Sequence, residues 1–285
     1  MFTRATGLFI VPIWLAAMGW LGYHDIWPTL IAQEPPRLVP SDWLKQEGKQ
    51  TQYAIYREGE RIGTIWTRYT VSEDAVGVND LIWIDRSRRA GGYAGRLPVP
   101  LAPLRATAET VFTPDGLLDE MTIELENYSV KFKLHGERFH AHFAFSFESG
   151  PMDRAFKIPL SDGATISGAF HPFGQLGRLR VGQTWKMQVY NPIADLIGMG
   201  DRFVSVLVTV TGAEPIITSN GKELCFIVES PASKAWVNGR GEVLVQESTL
   251  PVVGKIRIVR ESGFDEDMLQ RRRRQVLFLT RGTTP

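Results

Sequence analysis

From Gln52 onward, apolar and polar side chains alternate with a period of two rather than 3.6, and this constrains the chain more than any other feature of the sequence. "YAIYREGERIGTIWTRYTV" holds two such runs around Glu58-Gly59, a hairpin signal. "VGVNDLIWID" follows the turn "SEDA", and "TAETVF" leads through the turn "TPDG" into "LLDEMTIELEN". Later runs are "YSVKFKL", "FHAHFAFSF", "TWKMQVY", "DRFVSVLVTVTG", "KELCFIVES", "KAWVNGRGEVLVQES" and "GKIRIVRE". From Gln52 onward no long helical pattern occurs, and the best helix candidate is the short "GFDEDMLQRRRRQ". About a dozen strands joined by tight turns predict an all-β fold, a curved antiparallel sheet built as an open barrel or a sandwich.

A second constraint sits at the N-terminus. After Arg4 there is no charged residue from Ala5 through Tyr23. As a helix that stretch spans about 28 Å, close to the ~30 Å hydrocarbon core of a bilayer. Trp20, Tyr23 and Trp27 would lie near the outer interface, and Arg4 sets an N-in, C-out orientation. No clean small-x-small cleavage site follows, which favours an uncleaved transmembrane anchor over a removed signal segment. The sequence therefore divides into an anchor or signal segment (1–24), a proline-containing stalk (25–50), a β domain (51–262, with two halves meeting near 150) and a basic tail (263–285) with a short helix or strand. The domain is expected in the periplasm, tethered to the inner membrane; the alternative is secretion after cleavage. "SDWLKQEG" reads as a short helix capped by Ser41, and the basic, glycine-rich stretch 85–103 as a surface loop.

The densest group of potentially reactive side chains is "HGERFHAHFAF" (135–145). With a hairpin turn at Gly136-Glu137, His140 and His142 would share a solvated face with Lys133 and Lys131 as their cross-strand neighbours. Two ammonium groups beside a dication disfavour a metal there, so His140 and His142 are rejected as ligands. Cys225 follows every histidine in the chain and lies in an apolar strand, so it reads as a buried structural thiol rather than a nucleophile. No G-x-S-x-G, H-E-x-x-H, P-loop or C-x-x-C pattern occurs, and "GGYAG" lacks the context of a dinucleotide loop. The carboxylate pairs Asp119/Glu120 and Asp265/Glu266 read as solvated charge. No cofactor, catalytic residue or metal site is expected, and a net charge of +1 gives no reason to expect nucleic-acid binding. Arg271, Arg272, Arg273 and Arg274 form the sharpest charge feature, a candidate contact for anionic lipid or an envelope protein partner.

"LRVGQTWKMQVYNP", "VLVTVTGAEPI" and "AWVNGRGEVLVQES", together with the opening "YAIYREGERIGT", resemble a pattern in exported bacterial proteins. These are the β-proteins of domain-of-unknown-function group 3108 and their relatives, including the β-rich region that precedes transglutaminase-like domains. The resemblance covers most of residues 52–260. It implies a curved antiparallel sheet in the cell envelope and brings no catalytic residues with it. The expectation is a membrane-anchored, extracytoplasmic, non-enzymatic binding or accessory domain. Three forms of it differ in ligand or role: a carrier of an apolar ligand, a scaffold for an envelope protein, or, less favoured, a hydrolase with an unrecognised site.

Overall fold

The computed structural model describes residues 14, 17–20, 36, 47–85, 103–127, 131–140, 142–159, 165–168, 176–190, 203–218, 221–250 and 254–275. His24, His171, the 41–46 part of the Ser41 segment, residues 86–102 and the "VLFL" run lie outside them. Of the N-terminal apolar segment, Trp14 and 17–20 are described and helical, with Trp14, Met18 and Trp20 exposed. Among the described residues no helix is long and apolar enough to cross a membrane.

Among the described residues, fifteen strands form one sheet. In chain order they are β1 (Gln50–Arg57), β2 (Glu60–Val71), β3 (Val76–Ile84), β4 (Leu104–Phe112), β5 (Leu118–Glu126), β6 (Lys131–Phe139), β7 (His142–Ser149), β8 (Met152–Pro159), β9 (Thr165–Gly168), β10 (Thr184–Tyr190), β11 (Phe203–Thr218), β12 (Gly221–Ser230), β13 (Ser233–Asn238), β14 (Val243–Leu250) and β15 (Gly254–Arg260). A helix, α1 (Glu266–Arg274), follows. The spatial order runs from β8 back to β1, then β15 back to β9, so the first and last strands of the domain pair at the centre. All neighbours are antiparallel except β9, which pairs parallel with β10.

The two edge strands, β8 and β9, are consecutive in sequence. In a flat sheet their separation would be about 67 Å, from fourteen spacings of about 4.8 Å. The six peptide steps from Pro159 to Thr165 reach about 22 Å. The sheet therefore curls until its edges approach, without β8 and β9 pairing. Curling explains how one face of a single sheet becomes core. Tyr53, Ile65, Ile82, Leu125, Phe132, Leu134 and Phe143 all point to that face and are buried. A second cluster on the same face, around Trp185, Val208, Val228 and Val237, fills the β10–β14 half.

The expected hairpin at Glu58-Gly59 is present, with Arg57 opposite Glu60 and φ of 51° and 81° at the two turn residues. That is the type I′ geometry that matches strand twist. The turns "SEDA" and "TPDG" also fall between paired strands. The hairpin at 131–149 differs from expectation. Its turn lies between Phe139 and His142, not at Gly136-Glu137: Phe139 faces His142, Gly136 faces Phe145, and Leu134 faces Phe147. The reason is steric. Gly136 sits mid-strand beneath two rings, where an added Cβ would lie 2.6 Å from ring atoms of both Phe143 and Phe145. The glycine makes room for aromatic packing rather than turning the chain, and His140 takes the left-handed turn position at φ 53°.

On the outer face, α1 lies across β2 and β3. Asp265 caps it by accepting from the Met268 amide at 2.7 Å, and Gln52 Oε1 accepts from the Asp265 amide at 2.8 Å. Leu269 is buried against Trp66, Leu81 and Trp83. Four arginines in the last turn oppose the negative end of the helix dipole.

Candidate functional site

The turn motif "NGRGE" builds the most connected polar site. After β13 the chain reverses through Gly239, Arg240 and Gly241. Asn238 Oδ1 accepts from the amides of Arg240 and Glu242, both at 3.0 Å. Such a side-chain-closed turn follows from asparagine's reach to its own backbone two residues on. Gly241 has φ 81°, and a Cβ there would lie 1.8 Å from the Leu176 carbonyl oxygen. The Leu176 amide donates to the Gly241 carbonyl at 3.2 Å. The stretch "LGRLRVGQTW" thus docks on "NGRGE", which brings together two of the segments that carry the resemblance above.

Glu242, 6% exposed, is the centre of this arrangement. It accepts from Lys49, from Asn238 Nδ2 at 2.8 Å and from Arg260 Nη1 at 2.8 Å, with Arg240 Nη2 at 3.4 Å. Burial pushes its carboxyl group up, but the bonds from Lys49, Asn238 and Arg260 outweigh that and bring it to about 2. At neutral pH Glu242 is an anion that ties the start of β14 to β15 and to the residue just before β1. Asn238 Nδ2 also donates to Glu223 Oε1 at 2.8 Å, extending the network to β12. Tyr53 lies nearby on the buried face; burial, partly offset by Arg260, pushes its phenol up to about 12.

Beside this network, on the outer face, is a groove of about 440 Å³. Ala54, Leu244, Val245 and Val259 form its floor, and Arg240, Arg260, Glu223 and Glu261 stand around it. The guanidinium of Arg240 reaches Glu242 and Glu223 only at 3.4 and 3.8 Å, and its side chain is 74% exposed. It is the cation best placed to meet a ligand. A second groove of about 620 Å³, lined by Arg68, Asn79, Arg105, Glu109, Glu124 and Lys133 among others, has charges of both signs throughout.

The residues singled out in the sequence do not converge. His140 is in the β6–β7 turn, while His142 lies on the outer face opposite Phe139 and Pro159. Lys133 faces Glu148 and Glu124, and Lys131 faces Glu126, so neither lysine is the cross-strand neighbour of His140 or His142 that the expected register gives. His135 instead bonds Thr122 at 3.0 Å and Glu137 at 3.1 Å. Among the described residues no three His, Cys, Asp or Glu side chains are grouped to hold a metal ion. Cys225 is fully buried, and burial together with Glu223 and Glu214 pushes its thiol up to about 11. Asp265 caps α1 and Glu266 pairs with Arg68 at 2.8 Å, so both have structural roles. Within the arginine run, Arg272 stacks over Trp83 at 4.4 Å and pairs with Asp85 at 2.8 Å, whereas Arg271, Arg273 and Arg274 are exposed.

Lys49, Glu242 and Arg260 were not visible as a site in the sequence, because Lys49 and Glu242 lie 193 residues apart. The asparagine three residues before a glycine-glutamate pair was the available signal. Comparison of the chain with family models, curated proteins and solved structures gave no match.

Proposed function

We propose that the chain is a membrane-anchored, extracytoplasmic β domain of the bacterial cell envelope with a non-enzymatic binding role. Its ligand is an amphiphile with an anionic group, held in the groove beside Glu242. The observation that carries this reading is the groove's composition: a buried apolar floor (Ala54, Leu244) beneath a mostly exposed arginine, Arg240. An apolar floor with one or two convergent polar groups is the common pattern of small-molecule sites, and guanidinium is suited to carboxylate or phosphate. The uncharged run from Ala5 to Tyr23 supports the tether, and the helical, exposed Trp14, Met18 and Trp20 are consistent with side chains awaiting a lipid surround.

Titrating the detergent-solubilised chain with a fluorescent long-chain carboxylate tests the site. Saturable binding that weakens about tenfold or more in Arg240→Glu is expected, since a lost and inverted charge contact costs about 1.4 kcal/mol or more. Equal binding by the variant refutes the assignment.

A scaffold role has a specific observation of its own. Arg271, Arg273 and Arg274 are exposed in the last turn of α1, where Arg272 meets Trp83 and Asp85, toward the opposite end of the sheet from Lys49, where the chain enters β1. A position away from the proposed tether favours an acidic protein partner over the headgroups of the anchoring membrane.

A further inference from the structure

The tip of the β11–β12 hairpin extends past the rest of the sheet. The last β12–β13 pair is Cys225 with Asn238, and the last β10–β11 pair is Thr184 with Thr209. Beyond them, among the described residues, Pro215–Leu224, Ile216–Glu223, Ile217–Lys222 and Thr218–Gly221 pair only with each other. These four pairs form a two-stranded arm about 13 Å long.

The arm's two faces differ in chemistry. Glu214, Ile216 and Glu223 point to the outer face, where the carboxylates are engaged: Glu214 accepts from Trp236 Nε1 at 2.5 Å and Glu223 from Asn238. The opposite face carries Pro215, Ile217, Leu224 and a single charge, Lys222. Ile217 is 91% exposed and Leu224 63% exposed, the former the most exposed large apolar side chain among the described residues. Two exposed aliphatic side chains on a two-stranded ribbon, with Lys222 on the same face and Ile217 also at the rim of the groove that Glu223 and Arg240 line, form a surface suited to the interfacial zone of an anionic bilayer.

The placement of the arm points the same way. Lys49, the residue before β1, bonds Glu242; Glu242 bonds Asn238; and Asn238 bonds Glu223 at the arm's root. Further upstream, the Pro36 carbonyl accepts from the Gly177 amide at 3.4 Å, beside the same turn. The chain coming from the N-terminal apolar segment thus reaches the domain at the end from which the arm projects.

We infer that the β11–β12 arm lies against the membrane that holds the N-terminal segment, inserting Ile217 and Leu224 among the headgroups and fixing the domain's orientation over the bilayer. This inference rests on the tether proposed above. Single nitroxide labels at Ile217→Cys, Leu224→Cys and, at the far end of the sheet, Glu58→Cys test it in the full chain reconstituted into phosphatidylethanolamine–phosphatidylglycerol vesicles. Cys225 is 0% exposed and leaves the background unlabelled. The ratio of oxygen to nickel-chelate collisions is expected to be about threefold or more higher at 217 and 224 than at 58, as for side chains inside the interface. If the chain floats with the vesicles but labels 217 and 224 are as water-exposed as 58, the arm does not touch the membrane while the tether stands. If the chain does not float with the vesicles, the tether fails and this inference with it.

Discussion

Replacing Glu242 by glutamine isolates the electrostatic contribution of the buried network it centres. The side chain keeps its shape, but Lys49, Arg260 and Arg240 lose the charge they share. The folded carboxyl titrates at about 2 against an ordinary value of 4.5. At 1.36 kcal/mol per unit, the difference corresponds to about 3 kcal/mol of stability at neutral pH. The same range follows from removing one partner of a buried ion pair, about 3–5 kcal/mol. Because the folded value is depressed, the contribution is complete above pH 5 and is lost as pH falls from about 4.5 to about 2. Urea denaturation of wild type and Glu242→Gln, followed by tryptophan fluorescence from pH 7 down to pH 2.5, is expected to show a gap of about 3 kcal/mol that narrows to about 1 kcal/mol at the acid end. A gap that stays constant across this range would refute the reasoning, because the loss would then come from packing rather than from charge.

Four other perturbations follow from particular contacts. Gly241→Ala combines a φ of 81° with a clash against the Leu176 carbonyl, so a loss of more than about 2 kcal/mol and release of the Leu176 stretch to protease are expected. Gly136→Ala drives a methyl between Phe143 and Phe145 and should cost about 1–3 kcal/mol in thermal or urea unfolding, although a turn glycine at φ > 0 is not involved. His140→Gly relieves a left-handed residue in the β6–β7 turn and should stabilise by up to about 1 kcal/mol; destabilisation would place the turn elsewhere. Cys225 should react with a soluble disulfide reagent only as fast as the domain unfolds, since its thiol is buried and pushed up to about 11.

Period-two patterning made the strands legible because each half-buried strand must alternate to serve a single core face. "TWKMQVY" coincides with β10, and the Glu58-Gly59 hairpin lies where its turn residues place it. Register was legible only where the turn carried its own chemistry. At 131–149 a strand glycine was the stronger local signal, while the real turn holds a histidine in a conformation that histidine rarely announces. The parallel strand β9 was unreadable because it is four residues long and pairs outside the meander. The α1 helix was visible from its composition, yet its docking depends on a single buried residue, Leu269, and on Arg272 lying over Trp83, contacts that cross about 190 positions of sequence. The Glu242 network is hidden for the same reason. Lys49 lies just before β1 and Arg260 ends β15, and only the pairing of β1 with β15 makes them neighbours.

The proposal depends on an anionic amphiphile occupying the groove over Ala54 and Leu244, and native mass spectrometry of the full chain extracted from its own membranes examines that most directly. The predicted spectrum shows one small anionic lipid-class molecule per chain, lost from Arg240→Ala. A spectrum of bare chain, or one in which the variant retains the same adduct, contradicts it.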